Sequence, residues 1–150
     1  MPHRSTALQL AQLGSLAASR WAARVQDLGL TPSEGLVLRI ITSTGGLSQR
    51  ELAQEMGIVP SRVVVVVDAL EGKGMVRRVR SERDRRRYAL ELTTAGQTAL
   101  DALARHGREH DAALTAPLSD VEREELGRLL AKLVEHHGMR PGIHPEVGRT

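Results

Sequence analysis

Seven arginines, Arg77, Arg78, Arg80, Arg83, Arg85, Arg86 and Arg87, fall within eleven residues and are offset there only by Glu82 and Asp84. On a chain whose 21 basic and 18 acidic residues leave a formal net charge of only +3, this is a dense local field of cations. A guanidinium presents a planar fork of donors that suits phosphate oxygens and guanine edges, so the expected partner is a polyphosphate. The plainer reading is a solvated surface laced by ion pairs, as most charge runs are. A second group, His106-Gly107-Arg108-Glu109-His110, has the H-x-x-E-H spacing that sets two histidines on one helical face, where they can hold zinc with the glutamate as base. No third ligand accompanies it in the sequence. The expectation is therefore no enzyme, no catalytic residue, no cofactor and no bound metal, with His106 and His110 as the only candidate ligands.

Composition narrows the partner. A length of 150 residues fits one domain, and 41% hydrophobic residues suffice to bury a core. Without cysteine there is no disulfide framework, no Cys-ligated zinc and no thiol switch. Trp21 and Tyr88 are the only aromatic residues, which argues against stacking on bases and so against single-strand and RNA readers. Gln9, Gln12 and Ser15 interrupt the start of the chain, and no stretch has the length of a membrane span. A cytoplasmic location with no membrane partner is expected.

The elements that must position the arginines follow from periodicity and caps. Leu10, Leu13, Ala17, Trp21, Val25 and Leu28 recur at spacings of three and four and predict a helix over 5–28. Thr31-Pro32-Ser33-Glu34 is a capping box, opening a helix with Leu36, Val37, Ile40 and Ile41 inward. Ser48-Gln49-Arg50-Glu51 opens a short helix that Gly57 stops. Pro60 and Ser61 start the next, with Val63, Val66, Val67 and Leu70 on one side. Its five consecutive valines favour a strand, but caps, spacing and Asp68-Ala69-Leu70-Glu71 agree on a helix. Strands over 75–80 and 88–93, with Met75, Val79, Tyr88, Leu90 and Leu92 as apolar members, form a hairpin whose tip is the charged loop 81–87. Thr93 or Thr94 caps a long helix, Pro117 breaks the chain, and Ser119-Asp120-Val121-Glu122 caps a last helix carrying Leu126, Leu129, Leu130, Leu133 and Val134. The fold class is mainly α with a small β-hairpin wing, as one domain over 1–150 with 138–150 as a flexible tail.

From about Leu30 to Leu100 the chain resembles the MarR (multiple-antibiotic-resistance regulator) family of winged helix-turn-helix transcription regulators. The resemblance lies in Leu47-Ser48-Gln49-Arg50-Glu51-Leu52-Ala53, in Val67-Asp68-Ala69-Leu70-Glu71-Gly72-Lys73-Gly74-Met75-Val76, and in Asp84-Arg85-Arg86-Arg87 running into Leu92-Thr93-Thr94-Ala95-Gly96. It implies a winged helix-turn-helix DNA-binding region over 31–94 and dimerisation helices over 5–29 and 95–137. The partners implied are a second copy of the chain and a pseudo-palindromic double-stranded DNA operator. The helix from Pro60 would lie in the major groove and the wing in the minor groove, Asp84 orienting an arginine while Arg86 enters. The candidate DNA contacts are Ser48, Gln49, Pro60, Ser61, Arg62, Val65, Arg83, Asp84, Arg85 and Arg86, with Arg62 on either a guanine or a phosphate.

Where many relatives present polar groups this chain has Val64 and Val65, which can touch thymine methyls but cannot hydrogen-bond a base edge. The resemblance also implies an effector pocket near Trp21, with Arg20 or Arg24 nearby. Asp68 is added from urate-responsive relatives that pair a first-helix Trp with such an Asp. Trp21 could instead pack in the core. The effector class expected is a small organic anion with an apolar ring, and the function expected is a ligand-responsive repressor. The alternatives are a zinc-responsive regulator using His106 and His110, an architectural DNA-binding protein, and a zinc hydrolase.

Overall fold

Side-chain caps open five of the six helices. A computed structural model describes residues 5–82, 84–143 and 147. In chain order it contains α1 (Thr6–Asp27), α2 (Pro32–Thr44), α3 (Gln49–Met56), α4 (Pro60–Gly72), β1 (Val76–Arg80), β2 (Tyr88–Leu92), α5 (Thr94–Leu114) and α6 (Asp120–His136). Reciprocal capping boxes at Thr31/Glu34, Ser48/Glu51 and Ser119/Glu122 open α2, α3 and α6, each cap being worth about 1 kcal/mol. Ser5 and Thr93 cap α1 and α5 through the N–H groups of Leu8 and Gly96. Gly57, at φ 68° in the left-handed region, ends α3 and turns the chain into α4.

The valine run is helical for a reason that magnitudes decide. Five valines cost a helix roughly 0.5 kcal/mol each against alanine. Val63, Val67 and Leu70 are fully buried, and each such burial is worth about 1.5–3 kcal/mol. Packing therefore overrides propensity. These three join Leu38 of α2, Leu52 of α3 and Leu90 of β2 in one core, which Val25 of α1 and Leu103 of α5 close from the other side. A buried charge fastens α2 to the end of α4: the Glu34 carboxylate, whose side chain is 6% exposed, accepts from Lys73 Nζ at 2.7 Å and from the Thr31 N–H at 2.8 Å. Lys73 Nζ also donates to Gly29 O at 2.8 Å, so the ammonium bridges the carboxylate and the α1–α2 turn.

The hairpin departs from the expected alternation. β1 pairs antiparallel with β2 in the register Val76↔Leu92, Arg78↔Leu90 and Arg80↔Tyr88, so Val76, Leu90 and Leu92 share a face with Arg78. Met75 precedes the strand, and Val79 lies on the opposite face, across from Ala89. Of the apolar strand members read from the sequence, Tyr88, Leu90 and Leu92 share one face and Val79 lies on the other. Arg78 shares the face of Val76 and Leu90, and its charge is met there by Asp68 and Glu71 of α4. A further backbone bond, Leu90 N–H to Leu47 O at 2.8 Å, ties the α2–α3 connection to the wing.

The end of the chain differs as well. Within the expected flexible tail 138–150, the described residues make contacts: Arg140 is bonded to the C-terminal carbonyls of α3, Gly142 O accepts from Arg39, and Ile143 and Val147 pack against the core. Helix α6 has no buried residue. Among the described residues no helix is long and apolar enough to cross a membrane.

Candidate nucleic-acid interface

Helix α4 alone begins without a side-chain cap. Its N-cap is Val59, which offers no side-chain acceptor, Pro60 at the first position lacks an N–H, and Pro60 and Ser61 are exposed. Such an end favours an anion. Val63 and Val67 point into the core while Val64 is 41% and Val65 69% exposed, which makes the outer face of the helix apolar at its middle. Arg62 is half-buried, with its N–H on Val59 O. At the start of α3 the Ser48 hydroxyl is engaged in the capping box with Glu51, and Gln49 turns its Nε2 inward, buried without a hydrogen-bond partner. A phosphate contact from Gln49 therefore requires that side chain to rotate.

The wing sorts its arginines. Arg77 pairs with Glu91 at 2.8 Å, Arg78 with Asp68 and Glu71, and Arg87 with Asp84 at 3.4 Å. Arg80 donates to Arg85 O at 3.4 Å across the loop. Asp84 Oδ1 accepts the Arg86 N–H at 3.0 Å, and Arg87 N–H returns to Asp84 O at 2.9 Å, so one aspartate folds the tip. Among the described residues no carboxylate pairs with Arg85 or Arg86, and both are exposed. Asp84 thus acts on Arg86 through its backbone and on Arg87 through its charge. Arg83 lies outside the described residues.

The effector residues are not brought together as expected. A cavity of about 290 Å³ between α1, α2 and α5 is lined by Trp21, Val25, Leu36, Leu103, Arg39 and Gly142, among others. Trp21 is on its wall. Arg20, Arg24 and Asp68 are not: Arg24 pairs with Glu109 at 3.3 Å, and Asp68 sits at the wing root on Arg78. The cation at the cavity is Arg39. Sequence reasoning missed it, together with Arg140 and Gly142, because partners about a hundred positions apart leave no local pattern.

His106 and His110 lie one turn apart on α5, and among the described residues no group of three His, Asp or Glu side chains is placed to hold a metal. His106 Nδ1 is buried without a partner. The His110 ring packs against Trp21 at 5.8 Å between centroids. Burial first, then the charges of Arg24 and Arg20, hold His110 below its ordinary value of 6.5, against opposing contributions from Asp111 and the Ala17 backbone. The folded state then binds fewer protons than the unfolded chain, so stability present above 6.5 is lost as pH falls through 6.5 toward the folded value. An imidazolium beside an indole quenches its emission, so Trp21 fluorescence is expected to fall on acidification with a midpoint below 6.5. His110→Gln should flatten that curve; an unchanged midpoint in the variant assigns the titration elsewhere.

A helix-turn-helix whose second helix shows an uncapped, exposed N-terminus, followed by a hairpin with exposed arginines, defines a winged helix-turn-helix protein. The chain matches the MarR family over residues 30–88. It is 38% identical over 130 residues to a putative transcriptional regulatory protein for the hcr operon of Thauera aromatica, covering 85% of this chain and 78% of that one. It is 31% identical over 124 residues to the transcriptional repressor Rv2887 of Mycobacterium tuberculosis, covering 83% and 89%. The crystal structure of Rv2887 in complex with DNA superposes with a TM-score of 0.72 at 27% identity, covering 85% of this chain and 96% of that one. A probable transcriptional regulator from Pseudomonas aeruginosa superposes with a TM-score of 0.71 at 30% identity, over 87% and 97%. The chain belongs to the MarR family, whose members matched here are transcriptional regulators rather than enzymes.

Proposed function

We propose that the protein is a homodimeric repressor that binds a pseudo-palindromic duplex operator and is released by a small organic anion. The observation that carries DNA binding is the sorting of the wing arginines: Arg77, Arg78 and Arg87 are paired with carboxylates, while among the described residues Arg85 and Arg86 at the tip meet none. Cations left exposed on a rigid hairpin suit a narrow minor groove. The candidate contacts remain Ser48, Gln49, Pro60, Ser61, Arg62, Val65, Asp84, Arg85 and Arg86, with Val64 and Val65 against thymine methyls. Repression is supported by the matched repressor, and duplex DNA as partner by that relative's complex.

The effector reading rests on the cavity. Its size is near the lower end for a small-molecule site, and apolar walls with a single guanidinium, Arg39, favour one apolar ring bearing a carboxylate. Arg39 takes the part that the sequence reading gave to Arg20 or Arg24.

Fluorescence anisotropy with a selected operator tests the interface. Arg86→Ala is expected to weaken binding by about 1–3 kcal/mol, roughly five- to 150-fold, and to relax preference for A·T pairs beside the half-site. Arg77→Ala, whose guanidinium is held by Glu91, should stay within about twofold of the parent. Equal losses from both substitutions would mean that the wing acts only as a diffuse charge. No loss from Arg86→Ala would remove the wing from the interface.

A further inference from the structure

The chain does not leave the domain after α6. Gly138, at φ 61°, turns it back, and Arg140 Nη1 donates to Gln54 O and Glu55 O, both at 2.6 Å. These carbonyls belong to the last turn of α3, whose dipole end favours a cation. The guanidinium also lies over Gly57: a Cβ there would stand 3.2 Å from Arg140 Cζ, so the turn glycine leaves room for this contact in addition to its left-handed φ. Arg50, Gly57, Pro60 and Arg140 line one shallow depression, which puts the tail against the turn that sets the start of α4. Two residues later Gly142 O accepts from the Arg39 guanidinium, and both residues line the cavity that holds Trp21. Ile143 then anchors in the core.

We propose that residues 139–143 form a tether that couples the cavity to the helix-turn-helix, with Arg140 as a positioning residue for α3, the turn and α4. The coupling rests on reading the cavity as an anion site. Arg39 gives Nη2 to the neutral Gly142 carbonyl, whereas a carboxylate offers a charge-assisted, two-pronged pair that takes Nη2 and a neighbouring nitrogen together and is roughly twice as strong per bond. A bound anion therefore draws Arg39 from Gly142. With that end released, Arg140 loses its fixed approach to α3, and the N-terminus of α4 loses its support. The ligand acts because it prefers the untethered arrangement, and operator DNA prefers the tethered one; each must weaken the other by the same factor.

The test uses the full-length dimer, acrylamide quenching of Trp21, operator anisotropy, and salicylate as the probe anion. Arg140→Ala without ligand is expected to raise Trp21 quenching, because the loosened segment uncovers the cavity. It should also lower operator affinity at least about tenfold, to the level of the salicylate-saturated parent. Salicylate should then weaken the variant no further, and Arg140→Lys, which restores a cation at the α3 carbonyls, should recover most of both signals. A chain ended after Gly138 should behave as Arg140→Ala does, which guards against a local fault of that substitution. If Arg140→Ala matches the parent in both quenching and operator affinity, the tether is wrong. If salicylate leaves the parent unchanged while Arg140→Ala still alters Trp21 and DNA binding together, the tether stands and the anion reading of the cavity falls.

Discussion

Gly96→Ala, the addition of one methyl group, is expected to lower the melting temperature by about 4–10 °C, through overpacking of roughly 2–3 kcal/mol. A Cβ at this position would stand 2.0 Å from Met75 O and 3.0 Å from Met75 C. Both are backbone atoms that no rotamer change can move. Met75 O already accepts the Thr93 N–H at 3.1 Å, and Thr93 Oγ1 donates to Gly74 O at 2.6 Å while accepting the Gly96 N–H at 3.1 Å. The first turn of α5 is thus pinned to the residues that lead into β1, and relieving the clash means breaking these bonds. The wing would shift on its root, so operator binding should fall even where the variant remains folded. Gly127→Ala supplies the contrast: nothing lies within 4 Å of the added methyl on α6, and alanine is the better helix former by about 1 kcal/mol. A Gly96→Ala protein melting within about 2 °C of the parent would show that α5 can slide on the wing root, contrary to the geometry.

What the sequence made legible was whatever is written locally. The capping boxes at Thr31, Ser48 and Ser119 each span four residues, and helices start where those residues predict. Val63, Val67 and Leu70 repeat at helical spacing, which revealed the inner face of α4 despite the valines. The facing of the hairpin was not legible, because Arg78 lies on the side of Val76 and Leu90, and its neutralising partners, Asp68 and Glu71, sit on another element. The cavity failed for a related reason. Trp21 stood out as the single tryptophan, but its neighbour Arg39 sits on a helix with no feature to mark it, and its partner Gly142 is 103 positions away. Arg20 and Arg24 share a helix with Trp21 yet turn from the cavity, Arg24 toward Glu109. Proximity in sequence was a poor guide to which guanidinium lines the cavity.

Replacing Leu126 and Leu130 together by glutamate is expected to convert the protein from a dimer to a monomer of 16.3 kDa by light scattering. The argument starts from α6, a helix of 17 residues with Leu126, Leu129, Leu130 and Leu133 between 36% and 44% exposed and no buried residue. An isolated helix of that length is marginal in water, so its apolar stripe needs a partner. Leu126, Leu129 and Leu130 border a groove of about 730 Å³ with Leu10, Leu13 and Ala17 of α1 and Leu114 at the end of α5. An apolar groove beside an apolar helix can be filled by a second copy offering the same two features, which is the self-complementary contact of a twofold dimer. Buried glutamates would face one another across that axis without partners, a cost that exceeds any gain from the leucines that remain. Specific binding should fall at least about a hundredfold, because two half-sites roughly 34 Å apart are then no longer bound as one unit. The substitutions leave Arg140, Gly142 and the cavity in place, so salicylate should still raise acrylamide quenching of Trp21, separating this loss from a failure of the tether. A variant that stays dimeric and binds the operator as the parent does would mean that α1 and α6 face solvent for another reason, and that half-site spacing is set elsewhere.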